Sequence, residues 1–247
     1  MSKLLLTSLL FICSSSWAST VEQMLKQADQ YRLNESAAKV VSLVKLYEHD
    51  KLDKTRQYHV YTRENRESLV VFKSQVEAGQ KMLMLGDNYW LLMPKSRRPI
   101  RITPMQKLLG EASVGDVSTL TWSDDYQGAL VGEEVITLDG RAIQSNKLEL
   151  SAKTKGASYQ RITLWLTADN DFPLKADLYL RSGKLAKQAL FQQGDGVEGI
   201  RVDAMILLDQ IQPAKKTVIE YQAVTPYQLA DKYYNPAFLT RNSQVDL

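Results

Sequence analysis

Two apolar rhythms divide this chain. Val21, Met24, Leu25, Ala28 and Tyr31 recur at i, i+3, i+4 and i+7, which places them on one face of a helix. Thr20, with Gln23 three residues later, makes a capping-box start for that helix. From about Ala38 the period shortens to that of strands. Residues 40–47, 57–62, 68–74 and 81–85 are rich in Val, Leu, Tyr and Phe, and polar or glycine-containing connections join them. Strands resume over 129–138, where Asp139-Gly140 turns the chain into 142–151, and again over 161–167, 175–180, 185–192, 201–208 and 217–224.

Three stretches depart from simple alternation. Residues 82–93, MLMLGDNYWLLM, are apolar on both sides of a Gly86-Asp87-Asn88 turn. A surface hairpin keeps one face wet, so this one predicts apolar neighbours on both faces. Residues 104–125 hold Leu108 and Leu109, then glycines, then Val117, Leu120 and Trp122 at helix-compatible spacing, which predicts a loop with one or two short helices. In 161–167, Ile162, Leu164 and Leu166 share a face, while Trp165 falls on the otherwise polar one. At the end, Thr225-Pro226 and Asn235-Pro236 each set a capping residue before a proline, predicting two short closing helices. About eleven strands in meander order with one leading helix define an antiparallel α+β fold.

The first residues belong to neither rhythm. Lys3 precedes an apolar run over 4–13, followed by Ser14-Ser15-Ser16-Trp17-Ala18. That is a secretory signal, with cleavage expected after Ala18 and residues 19–247 left as one exported domain outside the cytosol. Lipidation of Cys13 is the alternative, but it wants a small residue before the cysteine, and Ile12 stands there. Cys13 is the only cysteine, so the exported chain has no disulfide, zinc-thiolate site or thiol nucleophile. No later segment is long and apolar enough to span a bilayer. A net charge of +3 does not argue for nucleic acid; it fits weak attraction to an anionic surface.

The catalytic inventory is thin. His49 and His59 are the only histidines and lack metal-ligand spacing. No nucleophile elbow, phosphate loop or dinucleotide glycine pattern occurs. Asp124-Asp125 and Asp169 with Asp171 have the carboxylates for calcium or acid–base work, but solvated turns account for them more simply, as for Glu133-Glu134. The reading is a protein that is not an enzyme and has no cofactor or metal.

The order of motifs resembles a known family. A hairpin MLMLGDNYWLLMP, a basic KSRRPIRI, a segment ending VSTLTWSDDY and a later DFPLKADLYLRSGKLAKQALF are similar to the outer-membrane lipoprotein-sorting proteins, the LolA-like periplasmic carriers. The likeness covers residues 45–224. It implies a strongly curved antiparallel sheet, an incomplete barrel with helices plugging its concave face, and an apolar cavity for acyl chains. It also implies a carrier or binding protein for a lipid or lipidated protein. The alternative is a lipid-sensing accessory or regulatory protein of an envelope transporter or signalling system. Its partners would be the lipid or acylated lipoprotein, an inner-membrane transporter of the resistance-nodulation type and an outer-membrane acceptor, with the protein itself a monomer.

On that basis Met82, Met84, Tyr89, Trp90, Leu92, Trp122 and Trp165 are the candidates for lipid contact. Methionine suits a cavity that accepts varied chain shapes, because its side chain is unbranched and polarizable. Ordinary core packing is the competing reading for each. Lys95, Arg97, Arg98 and Arg101 are the candidates for a lipid head group or an acidic partner, since guanidinium groups bind phosphate with forked geometry. A solvated basic turn competes with that role.

Overall fold

A computed structural model describes residues 20–33, 35–96, 98–118, 121–196, 199–210, 214–242 and 247. The expected leader at residues 1–18, including Cys13, and also Arg97 and Leu120, lie outside the described residues. Helix α1 (Val21–Gln30) begins at the expected capping box: Thr20 Oγ1 accepts from Gln23 N, and Gln23 Oε1 accepts from Thr20 N. Met24, Leu25 and Ala28 on its apolar face are buried.

The strands are β1 (Ala37–Glu48), β2 (Lys51–Arg63), β3 (Glu67–Phe72), β4 (Lys81–Leu85), β5 (Asn88–Leu92) and β6 (Ile100–Ile102). A short ribbon, β7 (Lys107–Leu109) and β8 (Ala112–Ser113), leads into α2 (Val114–Ser118). Then come β9 (Tyr126–Leu138), β10 (Arg141–Ala152), β11 (Arg161–Thr167), β12 (Pro173–Tyr179), β13 (Leu185–Gly196), β14 (Gly199–Asp209) and β15 (Lys215–Pro226). A 3-10 turn at Asp231–Tyr234 and α3 (Pro236–Arg241) end the described chain.

Thirteen strands form one antiparallel sheet in the order β6-β5-β4-β3-β2-β1-β15-β14-β13-β12-β11-β10-β9, and β7-β8 stand apart. The chain runs outward along one half and meanders back through the other, so β1 and β15 meet in the middle with Val44 opposite Ile219. The count exceeds the expected eleven mainly because β6, β7 and β8 are two or three residues long. So short a run shows no alternation in sequence. Asp139 and Gly140 both take positive φ, 49° and 75°, as a two-residue hairpin turn of matching twist requires.

The sheet is open in its hydrogen bonding but rolled in space. Tyr89 on β5 donates its hydroxyl to the carbonyl of Gly156, between β10 and β11, at 3.1 Å. Those elements lie nine or ten strands apart in the ladder, about 45 Å along a flat sheet. Only strong curvature brings them into contact. The face that becomes concave carries Val40, Val44, Tyr58, Val60, Met82, Met84 and Tyr89 from one half and Leu148, Leu150, Ile162, Leu164 and Leu166 from the other, all in one buried cluster.

One expectation at the C-terminus fails. Asn235 does cap α3, accepting from Ala237 N and Phe238 N with Pro236 at the first helical position. Thr225-Pro226 caps nothing; it ends β15, where Pro226 pairs with Ala38. The chain then crosses to the outer face of the sheet, and the 3-10 turn supplies the other short element.

Candidate functional site

The hairpin β4–β5 shows why both its faces are apolar. Met82, Met84, Tyr89 and Leu91 point to the concave side, while Leu83, Leu85, Trp90 and Leu92 point outward, as the cross-strand pairs Met84–Tyr89 and Leu83–Trp90 require. The outer set lies in a second cluster with Tyr61, Leu69 and Val71, covered by Leu229, Tyr234 and Leu239 of the C-terminal segment. The second neighbour is thus the end of the chain.

On the concave side, α1 and residues 104–118 and 121–125 pack into the same cluster as the sheet through Met24, Leu25, Leu109, Val114, Val117 and Trp122. All five residues of α2 are buried, and the helix lies against β2 and β3. Besides Glu111, whose N–H donates to Thr217 Oγ1 and whose carbonyl accepts from Lys187, and Tyr31, whose carbonyl accepts from Val202 N, four polar tethers hold this layer. The carboxylate of Asp116 in α2 is 2.7 Å from Lys187 Nζ on β13, with both side chains buried. Asp116 also accepts from Ser113 N at 2.8 Å, Ser113 Oγ at 2.7 Å and Tyr159 OH at 2.7 Å. Burial pushes the Asp116 carboxyl up, but Lys187 and Ser113 outweigh it and hold the group below the usual carboxylate range.

The second tether is Asp29 in α1, which accepts from Trp122 N at 2.6 Å and Ser123 N at 2.8 Å. Burial pushes its carboxyl up to about 6 against those two donors. Arg32 is the third: its guanidinium lies 4.3 Å from the Trp122 ring centre, and Trp122 meets Phe191 edge-on. The fourth is a clasp where the sheet's two ends meet. Arg66, in the β2–β3 turn, pairs with Asp87 at 2.8 Å and Asp125 at 2.7 Å, and Asp87 accepts from Gly156 N at 2.9 Å. Asp125 also accepts from Thr154. Asp125 is buried, so the solvated-turn reading fails for it; Asp124 beside it is exposed.

Two cavities adjoin this layer. One of about 40 Å³ lies under it, lined by Arg32, Asp116, Trp122, Tyr159, Phe191 and Met205 among others. That is room for a few waters, whereas small-molecule sites run to about 300 Å³ or more. The second, about 150 Å³, opens between the β2–β3 turn and the end of α2, with Met84 and Ser118 beside the polar Glu35, Thr62, Arg63 and Arg66. Among the described residues, the concave side is filled largely by the protein's own side chains in this conformation.

The predicted lipid-contact residues divide. Met82, Met84, Tyr89 and Trp122 come together on the concave side, and Trp122 lines the smaller cavity. Trp90 and Leu92 lie on the outer face. Trp165 points opposite to Leu164 along β11 yet is buried and belongs to the main cluster; its indole N–H donates to Glu134, and Lys147 and Lys175 lie over its ring. Lys95, Arg98 and Arg101 are exposed near the β6 edge, with Arg101 donating to Asn88 Oδ1 and lying over Trp90. Sequence reading missed Asp29, Arg66, Asp116 and Lys187, because their partners are distant in the chain. Among the described residues no group of three metal-ligating side chains occurs, and no helix is long and apolar enough to cross a membrane.

A large, open, mostly antiparallel sheet with few helices is a LolA-like fold. A LolA superfamily protein from Nitrosomonas europaea is 28% identical, with a TM-score of 0.80 over 88% of this chain and 98% of that one. A DUF1329 family protein from Desulfovibrio piger is 23% identical (TM-score 0.69, 87% and 95% covered). A structure described as an outer membrane lipoprotein-sorting protein domain from Vibrio parahaemolyticus is 19% identical (0.67, 88% and 98%). At those identities the last two speak for the fold alone. No curated protein matches. A family model described as an uncharacterized protein matches residues 64–241, and the chain belongs to that family, which is LolA-like.

Proposed function

We propose that this protein is a periplasmic carrier or binding protein for a lipid or lipidated protein, acting in transport to, or upkeep of, the outer membrane. One observation carries the reading. The layer over the concave face, residues 104–118 and 121–125 with α1, shares no ladder with the thirteen-stranded sheet and is held by apolar packing, side-chain bonds and isolated backbone hydrogen bonds. It can lift without breaking the sheet. In this reading α1 and α2 plug the bowl in the closed state described above.

An acyl chain entering past Met84 and Ser118 would displace Val114 and Val117 from Met82, Met84 and Tyr89. Each buried methylene contributes about 0.8 kcal/mol, so a dozen carbons offset the loss of several tethers. Met82, Met84, Tyr89 and Trp122 are the lipid-contact residues of this proposal. Trp90 and Leu92, on the outer face, and Trp165, pointing opposite to Leu164, are left out. No covalent chemistry is invoked.

Native mass spectrometry of protein recovered from the periplasm, followed by lipid extraction, tests the reading. Copurified lipid in a 1:1 adduct supports it. Protein that arrives empty and takes up neither phospholipid nor acylated peptide on incubation contradicts it. A stable complex with an envelope protein, formed only when lipid is bound, would favour the sensing alternative over delivery.

A further inference from the structure

We infer that the outer surface between the β5–β6 loop and α3 is a docking site for an anionic phospholipid bilayer. The loop and the helix are more than 130 residues apart in the chain and face each other across a groove. Pro99 on one side meets Asn235, Pro236, Ala237, Thr240 and Arg241 on the other, enclosing about 440 Å³ of open surface groove. A smaller cleft beside it brings Arg98 and Ser96 to Leu239 and Thr240. Lys95 precedes Ser96 in the same loop, and Lys232 lies 5.7 Å from the Phe238 ring of α3.

The charges of this surface are unbalanced. Lys95, Arg98, Arg101, Lys232 and Arg241 are all exposed, and among the described residues none has a carboxylate partner. Arg101 is held by the neutral Asn88 and Trp90. Among the described residues, the acids Asp231, Asp87 and Glu77 are engaged by Arg63, Arg66 and Arg56. Five cations on one side of a chain whose net charge is +3 make the rest of the surface near neutral or acidic. The concentration of charge is local.

Apolar groups stand among the cations. Ile100 on β6 is 48% exposed, and Val76 is 70% exposed in the turn beside Gly79, which abuts Pro94 of the same loop. Exposed aliphatic side chains interspersed with Lys and Arg match an interface of phosphate head groups over acyl tails better than they match an acidic protein surface, which offers no tails. The groove lies on the outer face, apart from the concave side. The inference therefore stands whether or not the interior takes a chain.

Sedimentation with vesicles tests it, using exported protein freed of its leader. Vesicles of phosphatidylcholine with phosphatidylglycerol should bind the protein at least tenfold more tightly than phosphatidylcholine alone, with binding lost as salt rises. Each basic residue near the surface is worth about fivefold, so Arg98→Gln with Arg101→Gln and Arg241→Gln should weaken binding about 100-fold with an unchanged circular dichroism spectrum. Ile100→Ser keeps every charge and should cost about tenfold, which simple ion exchange would not. Inorganic phosphate at matched ionic strength should not compete. Equal binding to both vesicle types, an undiminished triple variant, or capture by an acidic protein without vesicle binding would each overturn the inference.

Discussion

Lys187 Nζ on β13 lies 2.7 Å from the Asp116 carboxylate on α2, and both side chains are buried. This pair, with Ser113 and Tyr159 around it, fixes a five-residue helix that has no ladder of its own into the sheet. A buried ion pair gains little over apolar packing, but breaking it strands a charge. Lys187→Met or Asp116→Asn alone should destabilise the protein by about 3–5 kcal/mol in urea unfolding. Asp116→Leu together with Lys187→Met should cost less than either single change. Because the folded Asp116 carboxyl sits below its ordinary value of 3.8, its contribution is present above that pH and is lost as pH falls through the lower folded value.

Asp29 gives the opposite sign. Its carboxyl is raised from 3.8 to about 6, so its stabilising share is complete below 3.8 and disappears as pH rises through 6. The shift corresponds to about 3 kcal/mol across that window. Asp29→Asn should flatten the wild-type stability profile between pH 4 and 7 by that order, read as the difference between the two proteins' urea midpoints at each pH. A profile unchanged by the substitution would show that Asp29 is not what titrates there.

The clasp at the sheet's ends should be sensitive to a single methyl group. A Cβ on Gly156 would stand 2.7 Å from the Cα of Asp87 and 2.7 Å from Arg66 Nη2. Backbone is on one side of that contact, so relief needs the β4–β5 turn to move. Gly156→Ala should cost about 1–3 kcal/mol and speed amide exchange in residues 121–125. Arg66→Gln should do the same more strongly, because it leaves the buried Asp125 unpaired.

The outer face of the β4–β5 hairpin depends on the C-terminal segment. Leu239 is buried against Leu83 and Leu92 in the cluster it completes. Leu239→Ala should therefore cost about 2–5 kcal/mol, the same range as Met82→Ala on the concave face. If Leu239→Ala were neutral in thermal unfolding, the account of the two-faced hairpin would be wrong.

That hairpin also marks how far the sequence could be read. Its unbroken apolar run required two neighbours, and two exist, but nothing local said that one was the chain's own end. α1 was legible to its cap because periodicity and capping are local signals. The long strands were legible for the same reason. Thr225-Pro226 misled because a threonine before proline looks like a cap whether or not a strand is still pairing through it. Trp165 was correctly placed on the otherwise polar face, yet Glu134, Lys147 and Lys175 cover it there and leave it buried. Asp29, Arg66, Asp116 and Lys187 were invisible, since each meaning depends on a partner made adjacent only by the rolled sheet.

The central claim is that an acyl chain enters when residues 104–125 lift from the sheet, and a reversible lock tests it most directly. Ser118 Oγ lies 3.9 Å from Met84 Sδ, and a cysteine Sγ at position 84 stops one bond short of that sulfur, so Met84→Cys with Ser118→Cys would be joined by a short bis-methanethiosulfonate through two reducible disulfides, in a protein produced from residue 19, which has no other cysteine. Binding of a fluorescent fatty acid would be titrated before and after reduction. The account predicts uptake by the reduced protein and at least a tenfold loss in the cross-linked one; equal uptake in both states, or none in either, would contradict it.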